Sequence, residues 1–594
     1  TIAMTLTLAA VYAPIGIQGG LTGALFKEFA FTLAGAVLIS GVVALTLSPM
    51  MSSRLVVPKE RESRFQEGVD SFFERLRDRY RGALETAFRL RGAVVTGAIC
   101  VVLLVVPFYL FAMKELAPRE DQSVLFGIVL GAPNATVEQM AISASQVEKA
   151  YKSFPEYKGS FQLTGPGFGF SGIVTKPWSE RSRSVHEMEP ELWGKVGAVP
   201  GARVIVNSPA PLPGGSDFQV EMVISSTAEP SEVVGYANQL VGAAFQSGKF
   251  MYADTDLKFD LPQSEIVVDR DKANAMGLSL ASVGQDISTL VGGNYVNRFS
   301  IQGRSYKVIP QVKREDRLNP DQLLSFHIRG PKGKLMPLAT VASLNDTVQP
   351  RQLNRFQQLN SAKIQGAIPP GVSIDEALSI LEKKAQEILP PGYIVDYAGE
   401  SRQLRKEGSS MTATLVLALI VIFLVLAAQF ESFIDPLIIL AGSVPLALAG
   451  ALMFVFLGST SLNIYSQVGL VTLVGLIAKN GILIVEFANK LQAGGLPKAE
   501  AAIQAACTRL RPILMTSVAT VVGHFPLVLA SGAGAAARNS IGITLVSGMV
   551  IGTLFTLFVV PVLYTLISRP KPRSLAASDL PEGEAASSMV GFLH

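Results

Sequence analysis

Two groups of long apolar segments dominate the pattern along the chain. A hydrocarbon core of about 30 Å requires about 20 apolar residues per helix. Such segments lie at 1–14, 29–51 and 93–113, and again at 411–429, 436–456, 464–489, 512–530 and 541–567. The pattern predicts eight membrane spans in groups of three and five. The first segment begins at Thr1 without the basic region of a signal peptide, so we expect a shortened span and a chain that is part of a longer protein.

The region 114–406 between the two groups lacks such segments and has the pattern of a globular α+β structure. Alternation predicts strands and a period near 3.6 predicts helices. The strands are expected at 122–130, 217–226, 264–268, 306–312 and 393–397, and the helices at 137–153, 230–246 and 373–388. Recurring strand–helix–strand order predicts small open-faced sandwiches of βαβ type. The fold class is therefore a helical membrane bundle with an α+β region.

Charge gives the expected orientation. Ten basic residues lie between 52 and 91: Arg54, Lys59, Arg61, Arg64, Arg75, Arg77, Arg79, Arg81, Arg89 and Arg91. By the positive-inside rule this loop is cytoplasmic, and its amphipathic stretch 64–90 is expected at the membrane surface. Region 114–406 then lies outside the cytoplasm, whereas the loops at 431–435 and 490–511 and the tail after 569 lie inside.

Composition excludes several function classes. Only 16% of residues are charged and the net charge is +4, so a broad nucleic-acid surface is not expected. Two cysteines cannot form a disulfide scaffold or a CxxC metal site, and the four histidines lack metal-binding spacing. The sequence contains no GxxxxGK[ST] motif, so ATP is not the energy source within this chain.

Lys479 lies near the centre of the apolar segment 464–489. A charge at that depth is costly unless it is paired. Glu486 is about 10 Å away along the helix axis and is better placed to pair with Lys490, so we expect the partner carboxylate in a missing amino-terminal part. A lysine that faces carboxylates can couple protonation to helix movement. The alternative is a structural lysine that snorkels to the interface.

A second polar cluster is RLRPILMTS at 509–517. Arg509 and Thr516 are expected on one helix face, and Pro512 suits the first turn of a helix. The alternative makes the arginines cytoplasmic anchors and Thr516 a hydroxyl bonded to its own backbone. His524 is a titratable group in the same predicted span, where it could relay protons or only satisfy a backbone carbonyl.

The sequence GPGFGFSG at 165–172 stands out in the globular region. Alternating glycine and phenylalanine predict a mobile loop whose aromatic rings adapt to varied apolar ligands. A glycine loop that places phenylalanines in a core fits this sequence equally well.

Together these residues resemble the hydrophobe/amphiphile efflux branch of the resistance-nodulation-division (RND) superfamily, from about its fifth membrane span to its end. The matching blocks are YAPIGIQGGLTGALFKEFA (12–30), LTLSPMMSS (45–53), GLIAKNGILIVEFAN (475–489), RLRPILMTS (509–517), SGAGAAARNSIG (531–542) and FVVPVLY (558–564). The resemblance implies a homotrimeric, multi-pass transporter of the bacterial inner membrane, not an enzyme. It would export small apolar or amphiphilic molecules in exchange for protons, together with a periplasmic adaptor and an outer-membrane channel. The proton-motive force would drive it without a cofactor.

The resemblance also assigns residues. Lys479 matches the lysine of the family's proton relay, and Arg509 and Thr516 match further relay positions; the relay aspartates would lie in the other half of the protein. In the drug pockets, Phe168 and Phe170 match aromatic positions of a switch loop. Leu163 falls where multidrug members often have another pocket phenylalanine, and Phe218 falls at an aromatic position of the entry pocket. The stretch 292–298 resembles a docking hairpin that reaches a neighbouring protomer.

The expected division of the chain follows the same resemblance. Membrane helices five and six occupy 1–57, a cytoplasmic amphipathic helix 58–91, a membrane helix 92–113, periplasmic porter subdomains 114–265, a docking subdomain 266–355, the return of the second porter subdomain 356–407, five membrane helices 408–568, and a cytoplasmic tail 569–594.

One departure from the family pattern concerns specificity. Only residues 173–175 separate Gly172 from Lys176, where multidrug members have a longer stretch that supplies a pocket phenylalanine. We therefore expect a less aromatic pocket. The alternatives are an exporter of lipids or another narrow cargo, a protein-export relative, and a non-transporting sensor. The methionines of the globular region form no cluster suited to a soft metal, so no metal site is expected.

Overall fold

A computed structural model describes residues 2–55, 64–369 and 371–569. Except for Arg569, the predicted cytoplasmic tail lies outside these ranges, as do residues 56–63. The chain begins with the helices α1 (Ile2–Ile17), α2 (Gly20–Leu55), α3 (Arg64–Arg89) and α4 (Arg91–Leu110). α2 extends nine residues before its predicted apolar segment, because Lys27 and Glu28 are tolerated at its exposed surface.

The first α/β unit follows α4. It consists of β1 (Val124–Gly131), α5 (Val137–Lys152), β2 (Tyr157–Thr164), β3 (Phe168–Thr175), α6 (Val185–Gly197) and β4 (Ala202–Asn207). The strands are ordered β2-β3-β1-β4 and all neighbours are antiparallel. Leu125 and Val129 of β1 pack with Met140 and Val147 of α5 in one core. Ile128, on the opposite face of β1, belongs to a separate cluster.

A second α/β unit starts with β5 (Val220–Ser226), α7 (Pro230–Gln246) and β6 (Tyr252–Thr255). The chain then makes an inserted unit: β7 (Leu261–Val268), α8 (Arg270–Ala275), α9 (Leu280–Val291), β8 (Asn297–Ile301), β9 (Arg304–Val308), β10 (His327–Arg329), β11 (Leu335–Pro337) and β12 (Ala342–Gln349). The insertion begins and ends at one place because β7 and β12 are antiparallel partners over their full length. The β8–β9 hairpin is exposed at every position.

The second unit resumes with β13 (Asn354–Phe356), β14 (Leu359–Ala367), α10 (Ile374–Ile388) and β15 (Ile394–Tyr397). Its sheet order is β13-β14-β5-β15, and β6 also pairs with β14. The order β6-β14-β5-β15 repeats the order β2-β3-β1-β4 of the first unit, so both are open-faced βαββαβ sandwiches. The predicted βαβ-type sandwiches are therefore confirmed. Their assignment as porter and docking subdomains stays a prediction.

The chain ends in five long helices: α11 (Gly399–Phe430), α12 (Ile434–Phe456), α13 (Ile464–Ala493), α14 (Lys498–Val528) and α15 (Ala535–Ile567). Seven of the described helices are long and apolar enough to cross a membrane: α2, α4 and these five. α1 is apolar but shorter, so the eighth span stays a prediction. α13 is the most deeply buried of the seven and contacts α1, α11, α12, α14 and α15.

The prediction that Pro512 opens a helix is wrong. α14 begins fourteen residues earlier, at Lys498, and continues through Pro512. Charged residues interrupt the apolar run in its first turns and conceal this start in the hydropathy pattern. The turns are nevertheless held by four fully buried alanines: Ala501, Ala502, Ala505 and Ala506. Membrane helices tolerate an internal proline because their surroundings satisfy the freed carbonyl.

The amphipathic helix α3 packs against one end of α14 and α15. The predicted orientation places this end on the cytoplasmic side. The Tyr80 hydroxyl donates to the Leu557 carbonyl of α15 at 2.5 Å and its ring packs edge-on against Phe558. Arg511 of α14 binds Asp70 at 2.6 Å. The predicted surface helix 64–90 is confirmed as a helix over Arg64–Arg89, and Arg511 acts as an anchor to it.

Candidate functional site

Lys479 lies halfway along α13, and the start of that helix is firmly fixed. Asn463 caps it, accepting hydrogen bonds at its Oδ1 from the backbone N–H groups of Tyr465 (2.9 Å) and Ser466 (3.0 Å). Close helix packing surrounds α13, since a Cβ on Gly475 would lie only 2.9 Å from Val11 of α1. The capped and tightly packed helix therefore sets the depth and direction of Lys479.

The described partner of Lys479 is a hydroxyl on the neighbouring helix. Its Nζ donates to Thr520 Oγ1 of α14 at 3.4 Å, and the side chain is half-buried. Glu486 instead binds Lys490 at 2.8 Å, as predicted. Within the described ranges, the charge of Lys479 has no carboxylate in a salt bridge, so a hydroxyl alone faces the ammonium.

A buried polar cluster lies beside Lys479, and the sequence analysis did not find it. Asn480 is fully buried and its Nδ2 donates to Ser517 Oγ and Thr553 Oγ1, each at 3.3 Å. The Thr553 hydroxyl also donates to Ser517 at 3.2 Å. These three residues join α13, α14 and α15 at the level of the lysine. An asparagine next to a charged residue in an apolar span could have indicated this cluster, because a buried amide needs hydrogen-bond partners.

The other predicted relay residues make their described contacts with groups other than Lys479. Thr516 donates to the Ile513 carbonyl at 3.1 Å, which is the backbone-bonded alternative. Arg509 stacks on Phe487 with its guanidinium 4.5 Å from the ring centre. Arg509 is about 16 Å along α14 from Thr520, by helical rise. The arrangement thus joins Lys479 to Thr520, whereas a role for Arg509 and Thr516 in a relay stays a prediction.

The GFGFSG sequence is not the predicted mobile loop. Phe168–Thr175 forms strand β3, which pairs with β1 on one side and β2 on the other. Alternation of glycine and phenylalanine has the period of a strand, so Phe168 and Phe170 project from the same face. Only the turn at Gly165–Gly167 connects β2 and β3. The rings are therefore carried by a central strand of the sheet and not by a loop.

That face of the first unit carries an aromatic group. Phe170 packs against Phe126 of β1 and Phe161 of β2, with ring centroids 5.1 and 5.9 Å apart. Leu163 lies directly across the strand pair from Phe170 and is 66% exposed. Phe126 and Phe161 were missed because a single sequence does not show which residues lie opposite each other on paired strands.

The second unit meets this face through Phe218. Its ring stacks on Tyr252 at 5.5 Å, and both side chains pack against Ile128 and Ile205 of the first unit. Phe218 is only 6% exposed. The predicted pocket aromatic is therefore also a joint between the two units.

A cavity of about 360 Å³ lies between the two units, where Phe168 and Phe218 come together. Its wall also includes Ile128, Leu130, Tyr252, Asp254, Asp256, Lys258, Arg351 and Lys363. Leu163 and Phe170 line a separate, much smaller cleft with Met140. The four predicted positions thus divide into two pairs.

The charges around the larger cavity are largely compensated. Lys258 binds Asp254 at 2.5 Å, and Arg351 binds Asp260 at 2.6 Å. Burial raises the pKa of Asp256 above its usual value. The Lys363 backbone N–H donates to this carboxylate at 2.7 Å, which lowers the pKa but does not offset the effect of burial. The cavity therefore combines an aromatic wall with a rim of paired charges, a surface suited to amphiphilic molecules.

Comparison with known proteins extends over nearly the whole chain. Residues 1–568 match the AcrB/AcrD/AcrF family. An uncharacterized transporter of Haemophilus influenzae is 40% identical over 579 residues, which cover 96% of this chain and 56% of that protein. The multidrug export protein AcrF of Escherichia coli is 32% identical over 593 residues, covering 96% of this chain and 57% of its own length.

The toluene efflux pump membrane transporter TtgB of Pseudomonas putida is 32% identical over 601 residues, covering 98% of this chain and 57% of that protein. The chain spans a little over half the length of these relatives. Because the family match includes both groups of apolar helices and the α/β units between them, the chain belongs to the AcrB/AcrD/AcrF family of RND transporters.

Proposed function

We propose that this chain forms the carboxyl-terminal part of a proton-driven antiporter that exports apolar or amphiphilic small molecules. The transporter takes its cargo from the periplasm and the adjoining leaflet of the inner membrane. It works as a homotrimer with a periplasmic adaptor and an outer-membrane channel, and the proton-motive force supplies its energy.

The observation that carries the proposal is Lys479 in the interior of the membrane bundle. An ammonium at that depth requires a counter-charge, while its contact in the described chain is the neutral Thr520 hydroxyl. We infer that carboxylates beyond these 594 residues face it. Protonation of those carboxylates dissolves the ion pair and permits the helices to shift.

The cavity between the α/β units supports the cargo class. Its Phe168, Phe218 and Tyr252 rings offer broad apolar contact, and the paired charges around them accommodate a polar end. Relatives named for multidrug export and toluene efflux are consistent with such cargo.

The test is accumulation of dyes and antibiotics in a pump-deficient Gram-negative host that carries the full-length transporter and its adaptor. Wild type is expected to lower accumulation, and Lys479→Ala is expected to abolish this effect while trimers still form. Lys490→Ala is the matched control, because it removes a lysine from the same helix that is exposed and bound to Glu486.

Wild-type efflux by the Lys479→Ala variant would refute the proton-coupling proposal. If wild type lowers accumulation of none of the compounds although it reaches the membrane, broad small-molecule efflux is refuted, and export of a lipid or another narrow cargo becomes the favoured function.

A further inference from the structure

The hydroxyl that binds Lys479 is followed, one helical turn along α14, by the side chain of His524. His524 Nδ1 lies 2.7 Å from the Thr520 carbonyl oxygen. Thr520 itself donates from Oγ1 to the Thr516 carbonyl at 2.8 Å and accepts from Lys479. Thr520 thus contacts Lys479 through its hydroxyl and His524 through its backbone carbonyl, so polar groups follow one another along α14 from Lys479 to the histidine.

The hydrogen bond of His524 determines which nitrogen is available for protons. A carbonyl oxygen can only accept, so Nδ1 must carry a hydrogen. In neutral imidazole the other nitrogen, Nε2, then has the lone pair. A proton can bind at Nε2 without breaking the bond to Thr520. The satisfied backbone carbonyl therefore orients His524 as a proton acceptor.

His524 lies on the side of Lys479 that faces the α/β units. The chain before α13 bonds the segment after α4, with Leu462 N donating to Met113 O at 2.8 Å. α14 runs in the opposite direction and ends near the start of α15, where Ala537 N donates to Glu120 at 2.8 Å. By helical rise, His524 is about 6 Å nearer that end than Thr520.

Few other charges approach this position. α3, α13 and α15 pack against α14. On α13 the charged residues are Lys479 and, towards the opposite end, Glu486 and Lys490; α15 carries Arg538 in its first turn, held by the Gly534 carbonyl at 2.9 Å. The charged residues of α14 itself and of α3 lie at the opposite end of the bundle. The other titratable groups of these packed helices include three tyrosines: Tyr465, Tyr564 and Tyr80. Among the charged residues of these described helices, Lys479 is the one that shares a hydrogen-bonded residue, Thr520, with His524.

From this geometry we propose that His524 is the proton-loading residue on the outer side of Lys479, with Thr520 as the positioning residue between them. This inference rests on the proposed proton antiport. A proton from outer water forms an N–H bond at Nε2. That bond breaks when the proton passes inward to the carboxylate that pairs with Lys479, and His524 returns to its neutral form.

The test uses the full-length transporter in liposomes with an imposed pH gradient. Substrate transport and internal pH are followed while the outer pH is varied from about 5 to 8, the range in which histidines change charge. His524→Gln retains an amide N–H for the Thr520 carbonyl but cannot titrate. We expect at least about a tenfold lower maximal rate, loss of the inflection in the pH profile, and an unchanged KM for substrate.

A second pair of variants tests the contact between the Thr520 hydroxyl and Lys479. Thr520→Val should lower the rate while the pH inflection persists, because the carbonyl that holds His524 remains, and Thr520→Ser should restore the rate because it returns the hydroxyl. Val522→Ala, an apolar change at an exposed position of α14 two residues from His524, is the control and should behave as wild type.

A His524→Gln transporter with the wild-type rate and pH profile overturns the inference. Full activity of Thr520→Val overturns the positioning role of the Thr520 hydroxyl. If His524→Gln fails to assemble, the same measurements on His524→Asn decide the role of His524. Lys479→Ala is measured in parallel: transport by that variant refutes the antiport itself, whereas its inactivity beside a normal His524→Gln refutes only the role of His524.

Discussion

Phe168 offers the most direct test of the cavity between the two α/β units. It lies on β3 at the cavity wall and is 50% exposed. Full burial of a phenylalanine contributes about 1.5–3 kcal/mol, so Phe168→Ala should lower the free energy of unfolding by only about 1 kcal/mol. Loss of an aromatic contact to a ligand costs about 0.5–1.5 kcal/mol, which corresponds to a 2- to 10-fold weaker affinity, approximately.

The loss should depend on the substrate. Compounds with an aromatic ring against Phe168 should lose export by that factor, and compounds held elsewhere in the cavity should not. Inhibitory concentrations for a panel of antibiotics and dyes, measured beside thermal unfolding of the purified transporter, give both quantities.

Two variants serve as comparisons. Phe245 is equally exposed, at 50%, but lies at the end of α7 outside the cavity lining, so Phe245→Ala should leave the export profile unchanged. Phe218 is 6% exposed and stacks on Tyr252, so Phe218→Ala should cost about 3–5 kcal/mol of stability. An equal loss for every substrate with Phe168→Ala would contradict a substrate-contacting role for this ring.

Two further predictions concern stability. Asp121 and Arg181 form a buried ion pair at 2.7 Å; Asp121→Asn should cost about 3–5 kcal/mol, measured by thermal unfolding. Burial raises the pKa of Asp121, but hydrogen bonds from Arg181 and the backbone outweigh it and hold this pKa below its usual value. The ion pair's contribution to stability is therefore present above about pH 4 and is lost as the pH falls through the pKa of the folded state. A Cβ on Gly552 would lie 2.6 Å from Ala447 of α12. Gly552→Val should therefore lower the free energy of unfolding by about 1–3 kcal/mol in the same assay. Gly97→Val should cost little, because a Cβ there meets nothing within 4 Å.

Local signals were sufficient to predict most elements from the sequence. α7 spans Pro230–Gln246, the predicted bounds, because proline suits the first turn and the apolar residues recur at helical spacing. α3 has the amphipathic pattern expected of a surface helix, and it begins and ends within one residue of the prediction. In both cases the information lies within the segment itself.

The errors and omissions all concern contacts between segments. β3 was predicted as a glycine loop although its alternation has the period of a strand, because its own residues do not show that β1 and β2 lie on either side of it. The start of α14 is stabilised by buried alanines, and their burial depends on the neighbouring helices, which the sequence of α14 does not show. Thr520 was missed as the partner of Lys479 because the two are 41 residues apart and meet only through the relative rotation of α13 and α14.

Helix α11 connects the helices around Lys479 with the second of the two α/β units that form the cavity. This helix runs without a break from the second α/β unit to the far end of the bundle. At its start the Ser401 hydroxyl accepts from the Glu221 backbone N–H at 3.0 Å, and Arg405 binds Glu382 of α10 at 2.8 Å. The second unit is thus tied to α11, while it meets the first unit through the small cluster around Phe218. A shift of the helices around Lys479 that tilts α11 should therefore move the second unit as one body and change the width of the cavity.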